Sequence, residues 1–164
     1  MLHCIKNPNY TLKGDFYSDD FQYLEIKLKR CEGSHCKNHT EIEKAVSELK
    51  LEIIVINAFL DFSDYDNPVK HFVDDIHFFE IENNRHKRTN IFVMKGEVEL
   101  DDMLFTTGET KAGNFAMIEN TRSYDDSISE HTLATVYFRI DTKYYKYTRN
   151  VYTVLGFLAD IGGL

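Results

Sequence analysis

The stretch TLATVYFRID, residues 132–141, decides the fold because its side chains divide cleanly into two sets. One set is entirely apolar: Ala134, Val136, Phe138 and Ile140. The other set is mixed and ends on a charge: Leu133, Thr135, Tyr137 and Arg139. Successive side chains of a β-strand point to opposite faces of its sheet, so this alternation predicts a half-buried strand.

Stretches of similar β-forming character lie upstream. We predict further strands at 21–31, 51–60, 74–82, 90–95, 97–100, 103–105 and 115–118. The run 51–60 is almost continuously apolar, which is typical of a strand covered on both faces. Turn-forming or polar residues predict loops at 61–70, 106–114 and 119–131. About eight strands with frequent turns predict a mostly β, antiparallel β-sandwich-like domain.

Two helices are predicted beside these strands. Thr40 and Glu43 have the spacing of a capping box, in which each side chain bonds the other residue's backbone N–H. The apolar stripe of this short helix, near 41–50, consists of Ile42, Val46 and Leu49. A second apolar stripe predicts a C-terminal helix and consists of Val151, Val154, Leu155, Leu158 and Ile161.

Composition excludes some classes of function. The formal net charge of the 164 residues is −8, which repels phosphate backbones, so we predict no nucleic-acid binding. The basic cluster at 85–88 is interpreted as a solvated turn. Tyr and Phe number 10 and 12 with no Trp, an aromatic content that favours strands over helices. The N-terminus has no apolar signal-peptide core.

Cysteines and sequons indicate an oxidising compartment. Cys31 and Cys36 enclose four residues, and we predict a disulfide between them, which leaves the pairing of Cys4 open. The alternatives are free thiols and zinc binding by the same cysteines with His35 and His39, although the spacing matches no common zinc finger. Asn-x-Thr triplets predict two glycosylation sites, at Asn9 and Asn38.

The acidic loop offers candidate metal ligands. Asp61, Asp64 and Asp66 lie within six residues and could supply carboxylate oxygens to calcium. The spacing does not match an EF-hand loop, and acids beside Asn67 and Pro68 are typical of an ordinary turn. The outer glycines of 108–113 lack the Lys-Ser/Thr of a phosphate-binding loop. We therefore predict no catalytic residue, no bound metal and no cofactor.

The C-terminal segment 143–164 indicates a membrane nearby. A basic, tyrosine-rich stretch precedes a helix that is apolar on nearly all sides, as expected at a lipid interface. We divide the chain into a β-rich domain, 1–142, and this juxtamembrane segment. The residues predicted to lie near the membrane are Tyr147, Arg149, Tyr152, Leu155, Leu158, Gly162 and Gly163. The alternative is a terminal helix docked on its own β core.

The same segment resembles a known junction. Tyr147-Thr-Arg149, Tyr152 and the final LADIGGL, 158–164, are similar to the segment that enters the last span of uncharacterised ciliate transmembrane proteins. The loop 61–68 and the early cysteine pair are similar to that set as well. The resemblance implies an extracytosolic domain that precedes a final membrane span, and it implies no catalytic residues.

These observations predict a non-enzymatic extracytosolic domain of a membrane protein, on the extracellular or lumenal side, that acts in interaction or ligand sensing. Its expected partners are membrane lipid beside the C-terminus and a protein partner or a second copy of the chain, with the loops as contact sites. The alternatives are a small soluble hydrolase or metal-binding protein that uses a carboxylate cluster, and the ectodomain of a two-span channel or receptor subunit.

Overall fold

The computed structural model describes residues 10–101, 110–127 and 131–162. Its elements in chain order are β1 (Leu24–Lys29), α1 (His39–Ser47), β2 (Lys50–Leu60), β3 (Val69–Glu80), β4 (Arg85–Asp101), β5 (Lys111–Ser127), β6 (Thr132–Asn150) and α2 (Val154–Gly162). The predicted strand 103–105 lies outside the described residues.

Two sheets form the fold. The larger has four strands in the order β1-β6-β4-β5, and the smaller is the antiparallel hairpin of β2 and β3. Within the larger sheet β1 pairs with β6 and β4 pairs with β5 in antiparallel fashion, whereas β4 and β6 run parallel. The prediction of a mostly β, mostly antiparallel fold with two sheets, an early helix and a C-terminal helix is confirmed.

The core lies on one face of the larger sheet, called here the inner face. Ala134, Val136 and Phe138 of β6 point into it, as the alternation of TLATVYFRID predicts. They pack with Val46 of α1 and Phe79 of β3, which places the helix and the small sheet over this face. The opposite, outer face carries Tyr137 and Arg139 of the second set, whereas Leu133, at the start of β6, belongs to the core cluster.

The prediction that β2 is covered on both faces is wrong. Ile54 is 44% exposed and Ile56 is 75% exposed, while Ile53 and Val55 pack against the core. A two-stranded sheet that lies on a larger one has a single covered face, so half of this apolar run points outwards.

The strands of the larger sheet are longer than predicted. Gly96 does not end a strand, because it lies inside β4 directly opposite Phe115 of β5. A Cβ atom at Gly96 would lie 2.3 Å from the Phe115 ring, so the glycine is there to admit the ring. The proposed boundary between residues 142 and 143 falls within β6, which continues to Asn150.

The loop predicted at 119–131 is wrong for residues 119–127, which belong to β5. Likewise, the basic cluster at 85–88 starts β4 and is not a turn. The two polar stretches pair across the sheet, with Lys87 Nζ 2.8 Å from Asp125 and the Arg88 guanidinium 3.3 Å from Asp126. Opposite charges on neighbouring strands stabilise the pairing without an apolar pattern.

Helix α1 begins earlier than the predicted capping box. Asn38 is the N-cap, and its Oδ1 accepts a 2.9 Å hydrogen bond from the backbone N–H of Glu41. The Glu41 carboxylate in turn accepts from Asn38 Nδ2 at 3.2 Å. Asn38 therefore has the capping role predicted for Thr40, since asparagine caps a helix at least as well as threonine, while Glu41 bonds the side chain of Asn38 and not its backbone N–H.

Candidate functional site

The C-terminal helix α2 has a fixed start and no covered side. Thr153 caps it, because its hydroxyl accepts from Gly156 N at 3.0 Å and its carbonyl accepts from Phe157 N at 2.9 Å. No residue of α2 is buried, and Leu155 and Leu158 are 50% and 55% exposed. The helix does not dock on the β core.

The chain just before α2 is held firmly to the sheet. Tyr147 lies 5.9 Å from Phe115 and 6.3 Å from Phe62 between ring centroids, and the Arg149 guanidinium donates to the Phe62 carbonyl. Val151 N donates to the Asp101 carbonyl at 3.1 Å. Two of the residues predicted to lie near a membrane, Tyr147 and Arg149, are thus also structural contacts of the domain.

The remaining residues predicted at this site lie on or next to the helix. Tyr152 precedes it, and the Tyr152 hydroxyl donates to the Asp160 carboxylate, which is the only formal charge of α2. Gly162 ends the helix and is exposed. Gly163 lies outside the described residues. The structure therefore places Tyr152, Leu155, Leu158 and Gly162 on one projecting element, which we call the helix end of the molecule.

Two lysines lie on β5 and β6 toward the helix end. Lys146 Nζ lies 2.6 Å from Glu99 Oε1, and Lys111 Nζ lies 2.6 Å from Asp66 Oδ1. These hydrogen bonds raise the pKa of both lysines, so each remains charged at neutral pH. Both are well exposed, but each is balanced by its carboxylate partner, so the two lysines give this end no net positive charge.

The predicted disulfide is present at the opposite end of the molecule. Cys31 and Cys36 are joined, with Cα atoms 5.7 Å apart. The disulfide follows the end of β1, where Lys29 pairs with Thr132 at the start of β6. From this disulfide end, β6 extends roughly 60 Å to the helix end. Asn38 follows two residues after the disulfide and is exposed. Asn9 and Cys4 lie outside the described residues.

His35 lies between the two cysteines in sequence and forms a three-residue group with them. One ligand atom each from Cys31, His35 and Cys36 lie within 4.8 Å of one another, and among the described residues no other such group is found. Cysteine binds zinc as a thiolate, and the sulfurs of Cys31 and Cys36 are bonded to each other here. His39, the fourth predicted ligand, faces Glu43 at 3.5 Å. The oxidised protein therefore has a disulfide loop here.

The aspartates of the acidic loop do not converge on one point. Asp61 accepts from the Ser63 hydroxyl and backbone, and the first of these bonds lowers the pKa of Asp61 most. Asp64 accepts from Lys70, which chiefly lowers the pKa of Asp64, while Asp66 pairs with Lys111. Each carboxylate is satisfied by protein donors, as in an ordinary strand-exit turn.

Sequence reasoning missed a buried polar cluster between the two sheets. The Asn57 amide donates to Asp74 at 3.0 Å and to the Ile118 carbonyl at 3.2 Å, and its oxygen accepts from Ile118 N at 2.8 Å. His77 Nε2 lies 4.0 Å from Asp74. Asn57, Asp74 and His77 are each only 5% exposed, so they link β2 and β3 to β5 structurally. The signal was Asn57, a polar residue inside the apolar run 51–60.

A cleft on the outer face was missed as well. It has a volume of about 300 Å³ and lies between residues 16–21 and the strands β4, β5 and β6. Its charged lining is Arg122, Arg139 and Asp141. The alternation of β6 assigns Arg139 to the outer face, but only the fold brings Arg122 beside it.

The helices of the described part of the chain are all too short or too polar to cross a bilayer. No curated protein and no solved structure matches the sequence. A family model does match, over residues 1–141, which comprise β1 to β5 and the first half of β6. This match covers most of the chain, which therefore belongs to the family described as the uncharacterised 80 kDa protein N-terminal domain.

Proposed function

We propose that this chain is a non-enzymatic extracytosolic domain of a membrane protein, held at the lipid surface by α2, and that it acts in interaction or ligand recognition. The observation that carries the proposal is the exposure of α2. A nine-residue helix that is apolar nearly all round projects from a firmly fixed start and buries none of its residues. Such a helix requires an apolar environment on every side.

The area available for lipid contact is substantial. The exposed apolar residues of α2 are Val154, Leu155, Phe157, Leu158 and Ile161, with exposed fractions of 38–55%. Full burial of such a side chain contributes about 1.5–3 kcal/mol, so half of that for each gives on the order of 5 kcal/mol. Tyr152 beside the helix suits the bilayer interface, and Arg149, three residues earlier in the chain, is a cation suited to anionic headgroups.

The two ends of the molecule support an extracytosolic position. A disulfide and the exposed sequon at Asn38 lie at the end remote from α2, where a glycan would be clear of the bilayer. Disulfides persist in oxidising compartments, and glycosylation occurs in the secretory pathway. The resemblance of 147–164 to the junction of ciliate transmembrane proteins supports the same position.

Lipid binding tests the tether. We expect the protein to float with vesicles that contain anionic lipid and Leu155→Asp/Leu158→Asp to reduce the bound fraction at least about tenfold, because two charges on the apolar helix oppose burial. The matched control is Ile56→Asp/Val73→Asp, which alters two side chains of equal or greater exposure on the small sheet. Equal loss in both variants, or no binding by the wild type, would contradict the proposal.

Glycosylation tests the side of the membrane. We expect the chain, expressed through the secretory pathway, to lose mass on digestion with an N-glycosidase. Thr40→Ala should abolish the part of this loss due to Asn38, whereas Thr40→Ser should retain it, since serine preserves the acceptor triplet. Both variants keep the Asn38 cap. Identical digestion patterns for the wild type and Thr40→Ala would count against an extracytosolic Asn38.

A further inference from the structure

The cleft on the outer face is built by a folded loop. Lys13 and Gln22 pair as an isolated bridge and close residues 14–21 into a compact turn. Asp15 Oδ1 accepts from Tyr17 N and from the Ser18 hydroxyl, both at 2.9 Å. Gly14 has φ +58°, and a Cβ there would lie 2.7 Å from the Ser18 Cβ, so the turn requires glycine.

The turn places aromatic rings over the sheet. Phe16 lies 6.0 Å from Phe21, Phe21 lies 5.4 Å from Tyr23, and Tyr23 lies 5.8 Å from Tyr137, measured between ring centroids. A continuous row of rings thus runs from the loop onto β6. Phe16 is nevertheless 69% exposed, which leaves much of its ring for contact with another molecule.

Two arginines share this cleft and are not neutralised. Arg139 lies 4.6 Å from the Tyr137 ring centroid, and Arg122 lies 5.2 Å from that of Phe92. Among the described residues no carboxylate lies within ion-pair distance of either guanidinium, whereas Arg88, on the same face, pairs with Asp126. The Nε atoms of Arg139 and Arg88 are both buried without a hydrogen-bond partner, so the missing carboxylate is what distinguishes Arg139.

An arginine without a carboxylate partner leaves a positive charge available to a ligand on a protein of net charge −8, and a buried donor without a partner has lost its hydrogen bond to water. Asp141 also lines the cleft, but its carboxylate accepts from Lys143 N at 3.3 Å and from the Thr142 hydroxyl at 3.4 Å. With two arginines and one aspartate the lining has a formal charge of +1. The cleft therefore complements one negative charge.

We propose that this cleft binds a small aromatic carboxylate. The guanidinium fork matches a carboxylate in geometry and charge, and the rings of Phe16, Phe21 and Phe92 match a planar apolar body. A volume of about 300 Å³ is at the lower end for small-molecule sites, which restricts the ligand to one or two fused rings. The site does not involve α2 and is independent of the lipid tether.

Binding of 2-naphthoate, measured by calorimetry in lipid-free buffer, tests the proposal. We expect 2-naphthoate to bind at least about tenfold more tightly than either 2-naphthalenemethanol, which lacks the charge, or acetate, which lacks the rings. Arg139→Gln and Arg122→Gln should each weaken binding about tenfold, and Arg139→Lys less, because lysine retains the charge without the fork. Arg85→Gln, on the same sheet but outside the cleft, is the matched control.

The Arg139 Nε–H resonance gives a second measurement, since a bound carboxylate should shift it. If Arg139→Gln fails to fold, Arg122→Gln on a different strand decides the outcome. Equal affinity for the naphthoate and the neutral alcohol would overturn the proposal, as would unchanged binding by Arg122→Gln. Tighter binding of a single-stranded oligonucleotide than of 2-naphthoate would also overturn it and assign the cleft to base stacking.

Discussion

The two helices have the same length and opposite surroundings. Both α1 and α2 contain nine residues, and α1 is far the more polar, yet α1 buries Val46 in the core while α2 buries nothing. A helix with one apolar stripe can bury that stripe against one face of a sheet, as α1 does against the inner face of the larger sheet. A helix that is apolar nearly all round cannot be satisfied that way. The apolar content of a helix thus indicates what surrounds it only together with the distribution of that content.

Matched substitutions in the two helices should give the largest difference. Val46→Asp places an unpaired carboxylate among Phe79, Ile81 and Leu133, and we expect the free energy of unfolding to fall by roughly 4 kcal/mol or more. Leu158→Asp should change it by less than about 0.5 kcal/mol, because the side chain is already 55% exposed and lies outside the core. Denaturant unfolding in lipid-free buffer, at low protein concentration, measures both.

Val154→Asp, at the first residue of α2, is the control: it shows how far a charge at the start of the helix alone changes the free energy of unfolding. Should Leu158→Asp destabilise the domain as strongly as Val46→Asp, α2 would be packed against the β core in solution. The comparison between the helices would then fail, and the tether with it.

The contrast also explains which parts of the fold could be predicted from sequence. TLATVYFRID is predicted well because a period of two reports directly which side chains face the core. The end of β5 has no such period; it continues the ladder with β4, and ion pairs from Asp125 and Asp126 to β4 accompany that pairing. The parallel pairing of β4 with β6 joins strands that are not consecutive, and no local pattern specifies it.

The candidate sites divide in the same way. The apolar character of α2 and the pairing of Cys31 with Cys36 could be predicted, because each depends on residues close in sequence. The cleft could not be predicted, since Phe16, Phe92, Arg122 and Arg139 come from a loop and three strands. Nor could sequence show that α2 is uncovered, because exposure depends on where the sheets end.

A pH change should alter the free energy of unfolding through the β domain and not through α2, and this is the smallest of the expected effects. His86 on β4 is 3% exposed, and Nε2 lies 2.9 Å from the Thr135 hydroxyl. Burial, followed by the positive charge of Arg88, lowers the pKa of His86 from its usual 6.5. The helix α2, by contrast, contains no histidine.

Because the pKa of His86 is lower in the folded state, the unfolded chain takes up a proton first as the pH falls. The free energy of unfolding should therefore decrease below about pH 6.5, and continue to decrease until the pH reaches the folded pKa. His86→Gln, which retains a polar partner for Thr135, should show a shallower decrease between pH 7 and pH 5. The exposed His71→Gln is the control and should follow the wild type. Parallel curves for the wild type and His86→Gln would show that His86 titrates alike in the folded and unfolded states. A shallower curve for His86→Gln, together with unchanged vesicle binding over this range, would confine the pH dependence to the β domain.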